Sequence, residues 1–342
     1  MITALQQGAA QEEGTMSKIA SRIVLGGVVA ASLIAAACAA QGPANATWSV
    51  KGEMPYARAE IAVAEAGGKV YIMTGQSPGV QANGFVQEYD PASGSWRDLP
   101  FMPSVASHAG GTTINGKIYL VGGFVANVHI GAMTRVFEFD PAAGSWSAVA
   151  PLPSPRGSAG VVALNGKIHA IGGRDPDLNV VATHDIYDPA TDTWTPAAPL
   201  PVARDHLGIA VVDGKIHAFG GRTGASVDLV GNHDVYDPAT DSWTSAAPLL
   251  TPRSAGVGLN LGGRIVYAGG ECKDATTDPR LTFNEAEIYD PATDTWTALP
   301  PMPQGTHAAA GVVVGEEALF IGGNGGCGGE LPQNAIMALS VE

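Results

Sequence analysis

The sequence predicts an all-β fold assembled from six copies of one short four-stranded unit, and three observations carry that prediction. The first is the stretch from Leu152 to Trp194. It runs through a small-residue segment (Gly157 to Leu164), an Asn165-Gly166 turn, Ile168 to Ile171, the doublet Gly172-Gly173, a polar loop, Ile186-Tyr187, an Asp188-Pro189 turn and Trp194. Short apolar runs cut by Asn-Gly, Gly-Gly and Asp-Pro are antiparallel strands joined by tight turns. The second is recurrence. Glycine doublets stand at 122–123, 172–173, 220–221, 269–270 and 322–323, with Thr74-Gly75 as a degenerate first copy. The third is composition: 45 Gly and 24 Pro, with 15% charged residues, leave no room for long helical patterns.

Tryptophans at 48, 96, 146, 194, 243 and 296 repeat the unit in steps of 48, 50, 48, 49 and 53 residues. One four-stranded sheet this short cannot cover both its faces, so each copy needs neighbours. A glycine doublet, an aromatic residue before Asp-Pro and a terminal Trp, at a period near fifty, resemble the kelch repeat from Trp48 to the C-terminus. That resemblance implies an all-β, six-bladed kelch-type β-propeller. The segment from Asn45 to Val50 carries a Trp without a preceding doublet, whereas the last repeat stops at Ile336 to Val341 without a Trp. The two fragments complete each other, so the N-terminal strand is expected to close the ring by pairing into the last blade. Small residues open each repeat, as in Ala109-Gly-Gly-Thr112, which places these strands at the crowded axis. The tryptophans end the outer strands and are read as packing residues.

Formal net charge is −14, which argues against nucleic-acid and anionic-membrane partners, since both require a basic face. Residues 1–40 read as an N-terminal extension and export signal, and 41–342 as the propeller. Lys18 and Arg22 precede an apolar run from Ile23 to Ala37, shorter than the ~20 residues of a membrane span. No transmembrane span is expected. Small residues around Ala37-Cys38-Ala39 fit signal cleavage, and Cys38 also fits a lipid anchor. The expected location is therefore periplasmic or extracellular.

Turns divide by face. One face carries short, uniform turns; the other carries long, dissimilar loops and the links between blades, and binding usually sits on such variable loops. Aligning the links places Arg58, Ala106, Arg156, Arg204, Arg253 and Thr306 at one position. Two residues on stand Glu60, His108, Ser158, His206, Ala255 and Ala308; after the doublets come Gln76, Phe124, Arg174, Arg222, Glu271 and Asn324. Arg58, Arg156, Arg174, Arg204, Arg222 and Arg253, with His108 and His206, are accordingly expected around one opening, where guanidinium groups would bind a carboxylated ligand. The alternative is that each arginine pairs with a blade carboxylate and serves packing.

Cys272 and Cys327 follow the doublets of adjacent blades and read as a disulfide in an oxidising compartment. No metal site and no cofactor are expected: HExxH and clustered Cys/His spacings are absent, while His169 and His217 read as core residues and His184 and His233 as repeated packing positions. The glycine-rich segment 322–329 lacks the Lys-Ser/Thr of a phosphate loop.

Kelch-like propellers include binding modules, copper-radical oxidases and exported sialic-acid mutarotases. The oxidases require a tyrosine cross-linked to cysteine, for which this sequence offers no setting. The mutarotases are exported and six-bladed, and use a carboxylate after a glycine doublet with a nearby arginine; Glu271 and Arg280 are similar to that pair. The expected function is an exported propeller that binds a protein partner or a small anionic ligand. The alternative is an enzyme on an acidic sugar, with Glu271 as general acid/base.

Overall fold

Apolar runs of about five residues, broken by turn residues that demand positive φ or a fixed proline φ, leave each repeat little choice but short antiparallel strands. In the computed structural model, which describes residues 45–126, 128–273, 281–329 and 331–341, these strands form six four-stranded sheets. Blade three shows the pattern: Gly160–Leu164, Lys167–Ile171, His184–Asp188 and Thr193–Pro196, each paired with the next. The innermost strands are Ala62–Ala66, Gly110–Ile114, Gly160–Leu164, Gly208–Val212, Val257–Leu261 and Ala310–Val314, and each packs against the next around the axis. A Cβ on Gly110 would stand 2.1 Å from Val161 Cγ2, so the small residues there are a steric requirement. No helix among the described residues is long and apolar enough to cross a membrane.

The sixth blade is built from both ends of the described chain. Strand Ala46–Glu53 pairs antiparallel with Ala335–Val341, from Ala46 opposite Val341 to Glu53 opposite Ala335, with a bulge between Val50 and Gly52. Trp48 lies against Phe320, ring centroids 5.0 Å apart.

Neighbouring blades are fastened at the rim. The indole N–H of Trp48, Trp146, Trp194, Trp243 and Trp296 donates to a backbone carbonyl of the preceding blade, as in Trp194 Nε1 to Ala150 O at 2.8 Å. In blades three to five the last residue of the Asp-Pro turn adds a second bond. Asp192 Oδ1, for example, accepts both the Ala150 N–H (2.7 Å) and the Tyr187 hydroxyl (2.8 Å). Between blades lie the apolar clusters of branched second-strand residues. His169 with His184, and His217 with His233, sit there as buried pairs at 2.9 Å. Burial lowers His169 to about 3, and His184, His217 and His233 to about 4, so all four are neutral packing groups near pH 7.

Because Ala46–Glu53 supplies the outer strand of the sixth blade, deleting residues 45–53 should open that edge and unseat Trp48. The expected loss of stability is on the order of 3 kcal/mol or more, as for removal of a packed aromatic. Calorimetry of the truncated chain checks this, and an unchanged melting temperature would refute it.

Candidate ligand site at the channel mouth

The link residues are held by two sets of backbone hydrogen bonds. The N–H of the second doublet residue donates to the carbonyl of the next blade's link, as in Gly123 to Arg156 (3.0 Å), Gly173 to Arg204 (2.9 Å) and, closing the circle, Gly323 to Arg58 (2.9 Å). This contact needs glycine beside it: Gly122 has φ +63°, and a Cβ there would lie 2.3 Å from the Arg156 carbonyl oxygen. Two residues beyond each link arginine position, Glu60, His108, Ser158, His206, Ala255 and Ala308 all adopt left-handed φ between 51° and 55°. Each donates its N–H to the carbonyl of the equivalent residue one blade back, at 2.8–3.1 Å, and Glu60 donates to Ala308. The six therefore form a closed ring around the channel.

Their side chains line a mouth cavity of about 150 Å³. Polar groups occupy one arc, Glu60, His108, Ser158 and His206; Ala255 and Ala308 complete the other. His108 Nε2 lies 3.0 Å from Glu60 Oε1, and its Nδ1 lies 3.0 Å from Ser107 Oγ. His206 Nδ1 lies 3.0 Å from Asp205 Oδ2. Behind this ring, Arg222 donates from Nε to Asp205 (3.1 Å) and from Nη1 to Glu271 (2.7 Å), and Arg174 Nε reaches Asp205 at 2.8 Å. His307 Nε2 stands 4.0 Å from Glu271. His129, from the blade-two loop, packs against the His108 and His206 rings and lies 3.3 Å from Arg222 Nη2.

Electrostatics follow from this packing. Burial opposes the charge on Asp205, but His206, Arg222 and Arg174 outweigh it and hold the carboxyl well below the usual range. Burial likewise opposes Glu60, and His108 reverses the balance in the same direction. Arg222 is buried too, yet Glu271 and Asp205 hold its pKa above the ordinary value. Burial, with His206, His108 and Arg222 nearby, pushes His129 down to about 2, and burial lowers His307 as well. Neutral His129 and His307 beside carboxylates and guanidiniums give this region both donors and acceptors.

Four of the arginines expected here lie elsewhere. Arg58, Arg156, Arg204 and Arg253 are at most 1% exposed and point into their own blades. Arg156 pairs with Asp185 (2.7 Å), Arg204 with Asp234 (2.8 Å), Arg253 with Glu287 (2.5 Å) and Arg58 with Gln87 (2.8 Å). They also donate to strand carbonyls, as Arg253 does to Tyr267 and Gly269. The anion-binding expectation for these four is therefore corrected. A buried guanidinium needs a full set of acceptors, and the interior of its own blade supplies most of them. Burial lowers Arg58, which has no carboxylate partner at this position, to about 10. His108 and His206 do line the mouth cavity, and Arg174, Arg222 and Glu271 gather behind it around Asp205. Arg280 lies outside the described residues. Cys272 and Cys327 are joined as a disulfide, Cα atoms 4.8 Å apart, beside Glu271.

Sequence reasoning missed His129, Asp205 and His307. Asp205 and His307 immediately follow the aligned link position, so the same alignment extended by one residue reaches them. His129 sits in a loop without a counterpart in the other blades, and no repeat signal marks it.

The kelch motif model matches residues 106–153, 155–201, 203–250 and 252–303, together more than half of the chain. The chain belongs to the kelch-repeat family. Among curated relatives of this kelch propeller, the kelch-like protein terF of Aspergillus terreus (strain NIH 2624 / FGSC A1156) is 29% identical over 119 residues. The match covers 32% of this chain and 26% of terF, so it spans about a quarter of that relative's length. Among solved structures, "Structure of YjhT" superposes with a TM-score of 0.72 at 17% identity, covering 85% of this chain and 97% of that one. At that identity the likeness concerns the fold alone.

The buried arginine pairs allow a direct check. Arg204→Ala leaves Asp234 charged and unpaired in the interior and should cost about 3–5 kcal/mol in urea denaturation. Replacing both partners, Arg204→Met with Asp234→Leu, should recover most of that loss. A single variant as stable as the parent chain would show that the pair is not structural.

Proposed function

We propose that this kelch propeller is a binding module whose channel mouth takes a small polar ligand with the hydrogen-bonding character of a sugar or hydroxy acid. One observation carries the reading: six equivalent ring positions surround the channel, and four of them are polar. Closure needs only the backbone at these positions, as Ala255 and Ala308 demonstrate. Glu60, His108, Ser158 and His206 are therefore surplus to folding, and their convergence on one cavity supports a ligand role. Arg174 and Arg222 stand behind the ring, paired with Asp205 and Glu271, and hold that polar wall in place.

Export belongs to the same proposal, with residues 1–40 as the signal. The Cys272–Cys327 disulfide supports it, since such bonds persist in oxidising compartments. For a protein partner, the supporting surface is the exposed aromatic groove of Tyr56, Phe85 and Phe101, whose successive rings stand 5.9 and 5.5 Å apart.

The test is a thermal-shift screen against neutral sugars, acidic sugars and organic acids, repeated on His108→Ala with His206→Ala. Alanine already occupies this ring position in two blades, so the variant should fold. We expect at least one ligand class to raise the melting temperature, and the variant to bind it about 10–100-fold more weakly, the worth of one to two hydrogen bonds to charged or buried groups. A shift of equal size in parent and variant would place the ligand elsewhere.

Glu271 favours a second reading, catalysis on an acidic sugar. Its carboxylate is positioned by Arg222 at 2.7 Å with His307 nearby, so a proton could pass between Glu271 and a bound ring oxygen. In that case NMR should show faster anomer exchange in N-acetylneuraminate with the protein than without it. The rate should return to background in Glu271→Gln; an undiminished rate there would remove this residue from the mechanism.

A further inference from the structure

We propose, building on the reading of the Tyr56, Phe85 and Phe101 groove as a protein-partner surface, that this groove takes an arginine side chain of the partner. The guanidinium would stack on the rings and pair with the carboxylate of Asp98. The groove encloses about 310 Å³ and shares no lining residue with the channel mouth. Its floor is formed by Val86 and Gln87, each 2% exposed, and its walls by the three rings and Asp98.

Departures from the repeat build this groove. Asp98 lies across the strand pair from Gln87, and its counterparts in the other blades are Ala148, Pro196, Ser245, Ala298 and Val50. Phe101 stands where four other blades carry proline, at 151, 199, 248 and 301. Phe85 and Tyr56 occupy positions at which no other blade has an aromatic residue. Five blades therefore fold without these groups, and the propeller does not require them. Phe101 is nevertheless 67% exposed and Tyr56 53%. Four exceptional residues of one blade meeting in one open apolar groove mark an interaction surface.

The rings follow one another along the groove. Tyr56 and Phe85 are 5.9 Å apart with 26° between their planes, and Phe85 and Phe101 are 5.5 Å apart with 45° between theirs. A cation over such faces is attracted by their π electrons. Arginine suits them better than lysine, because the guanidinium is flat and weakly hydrated and can stack, whereas the ammonium is a strongly hydrated point charge.

Asp98 is the only charged residue lining the groove. In blades three to five a buried carboxylate pairs with the link arginine; in blade one Gln87 takes that place, and the negative charge stands one strand further out, on Asp98. Gln87 is fixed from both sides: its Oε1 accepts from Arg58 Nη2 at 2.8 Å, and its Nε2 donates to Asp98 Oδ1 at 2.9 Å. Among the described residues, Asp98 forms no ion pair and its Oδ2 accepts no hydrogen bond. Arg97 is turned to Glu88 at 2.6 Å and Arg135 to Ser104 at 2.5 Å. A carboxylate with an oxygen open beside an aromatic wall complements a guanidinium, which can both donate to it and stack. The net charge of −14 favours the approach of a basic partner.

The test is fluorine NMR of the full chain labelled with meta-fluorotyrosine. Tyr56 is a surface reporter within the groove, since the other seven tyrosines are at most 4% exposed, and Tyr56→Phe assigns its signal. The probes are acetyl-Gly-Arg-Gly-amide and the same peptide with citrulline, which has the shape of arginine without its charge. At about 0.15 M salt, surface charges are screened beyond about 8 Å. The arginine peptide should shift the Tyr56 signal saturably and bind about tenfold more tightly than the citrulline peptide. Asp98→Asn keeps an acceptor for Gln87 and should bring the arginine peptide to the citrulline level. Phe101→Pro, which installs the residue of four other blades, should weaken it about tenfold at an unchanged melting temperature. No saturable shift with the arginine peptide would overturn both the assignment and the groove as a peptide surface. Equal binding of the citrulline peptide would overturn the arginine assignment alone, in favour of an uncharged occupant. A Tyr56 signal that moves with protein concentration alone would overturn it in favour of a second copy of the chain. No sugar or organic acid enters the measurement, so failure here leaves the channel-mouth reading standing.

Discussion

Six backbone hydrogen bonds circle the channel, each running from the N–H of one left-handed residue to the carbonyl of its counterpart in the preceding blade. The left-handed conformation costs a non-glycine residue about 1–2 kcal/mol, and here it is adopted six times in one ring. It persists because the chain on either side is fixed, by the doublet contact before it and the inner strand after it. The rest of the architecture serves that arrangement. Inner strands must be small so that six of them can approach the axis. Doublet glycines must lack Cβ so that the links can be reached. Rim tryptophans keep the blades at a constant spacing. The ring also gives the molecule a set of six equivalent positions that meet around a single cavity.

Much of this was legible in the sequence because repetition turns a local signal into a global one. The doublets, the Asp-Pro turns and the tryptophan period each specify a strand boundary, and six copies specify the ring. The arginines illustrate a signal that was present but read on one strand only. Where the link carries Arg58, Arg156, Arg204 or Arg253, the residue two before the third-strand aromatic position is Gln87, Asp185, Asp234 or Glu287. Where the link carries Ala106 or Thr306, that position is Phe137 or Met337. The chain thus records the pairing within itself, polar with polar and apolar with smaller or uncharged. His129 had no such record. It belongs to a loop unlike those of the other blades, and its meeting with His108 and His206 depends on the ring geometry rather than on spacing along the chain.

The mouth differs from the interior in how its charges are compensated. Each buried blade arginine has partners inside its own sheet. At the mouth, Arg222 is shared among Asp205, Glu271, His129 and His206, which come from blades two, four and five. A group bound to several blades at once ties their relative positions together at the mouth.

The pairing of Ala46–Glu53 with Ala335–Val341 has a temporal meaning as well as a spatial one. Its partners are separated by nearly the whole chain, so ring closure is a contact of very high sequence separation, the slowest kind to form. Blades one to five can assemble as each is completed, but the first strand has nothing to pair with until the last blade exists. The link bonds from Gly323 to Arg58 and from Glu60 to Ala308 must wait for the same event. The mouth is therefore finished last, and any chain that stalls before its sixth blade has the inner strands but no closed ring around them.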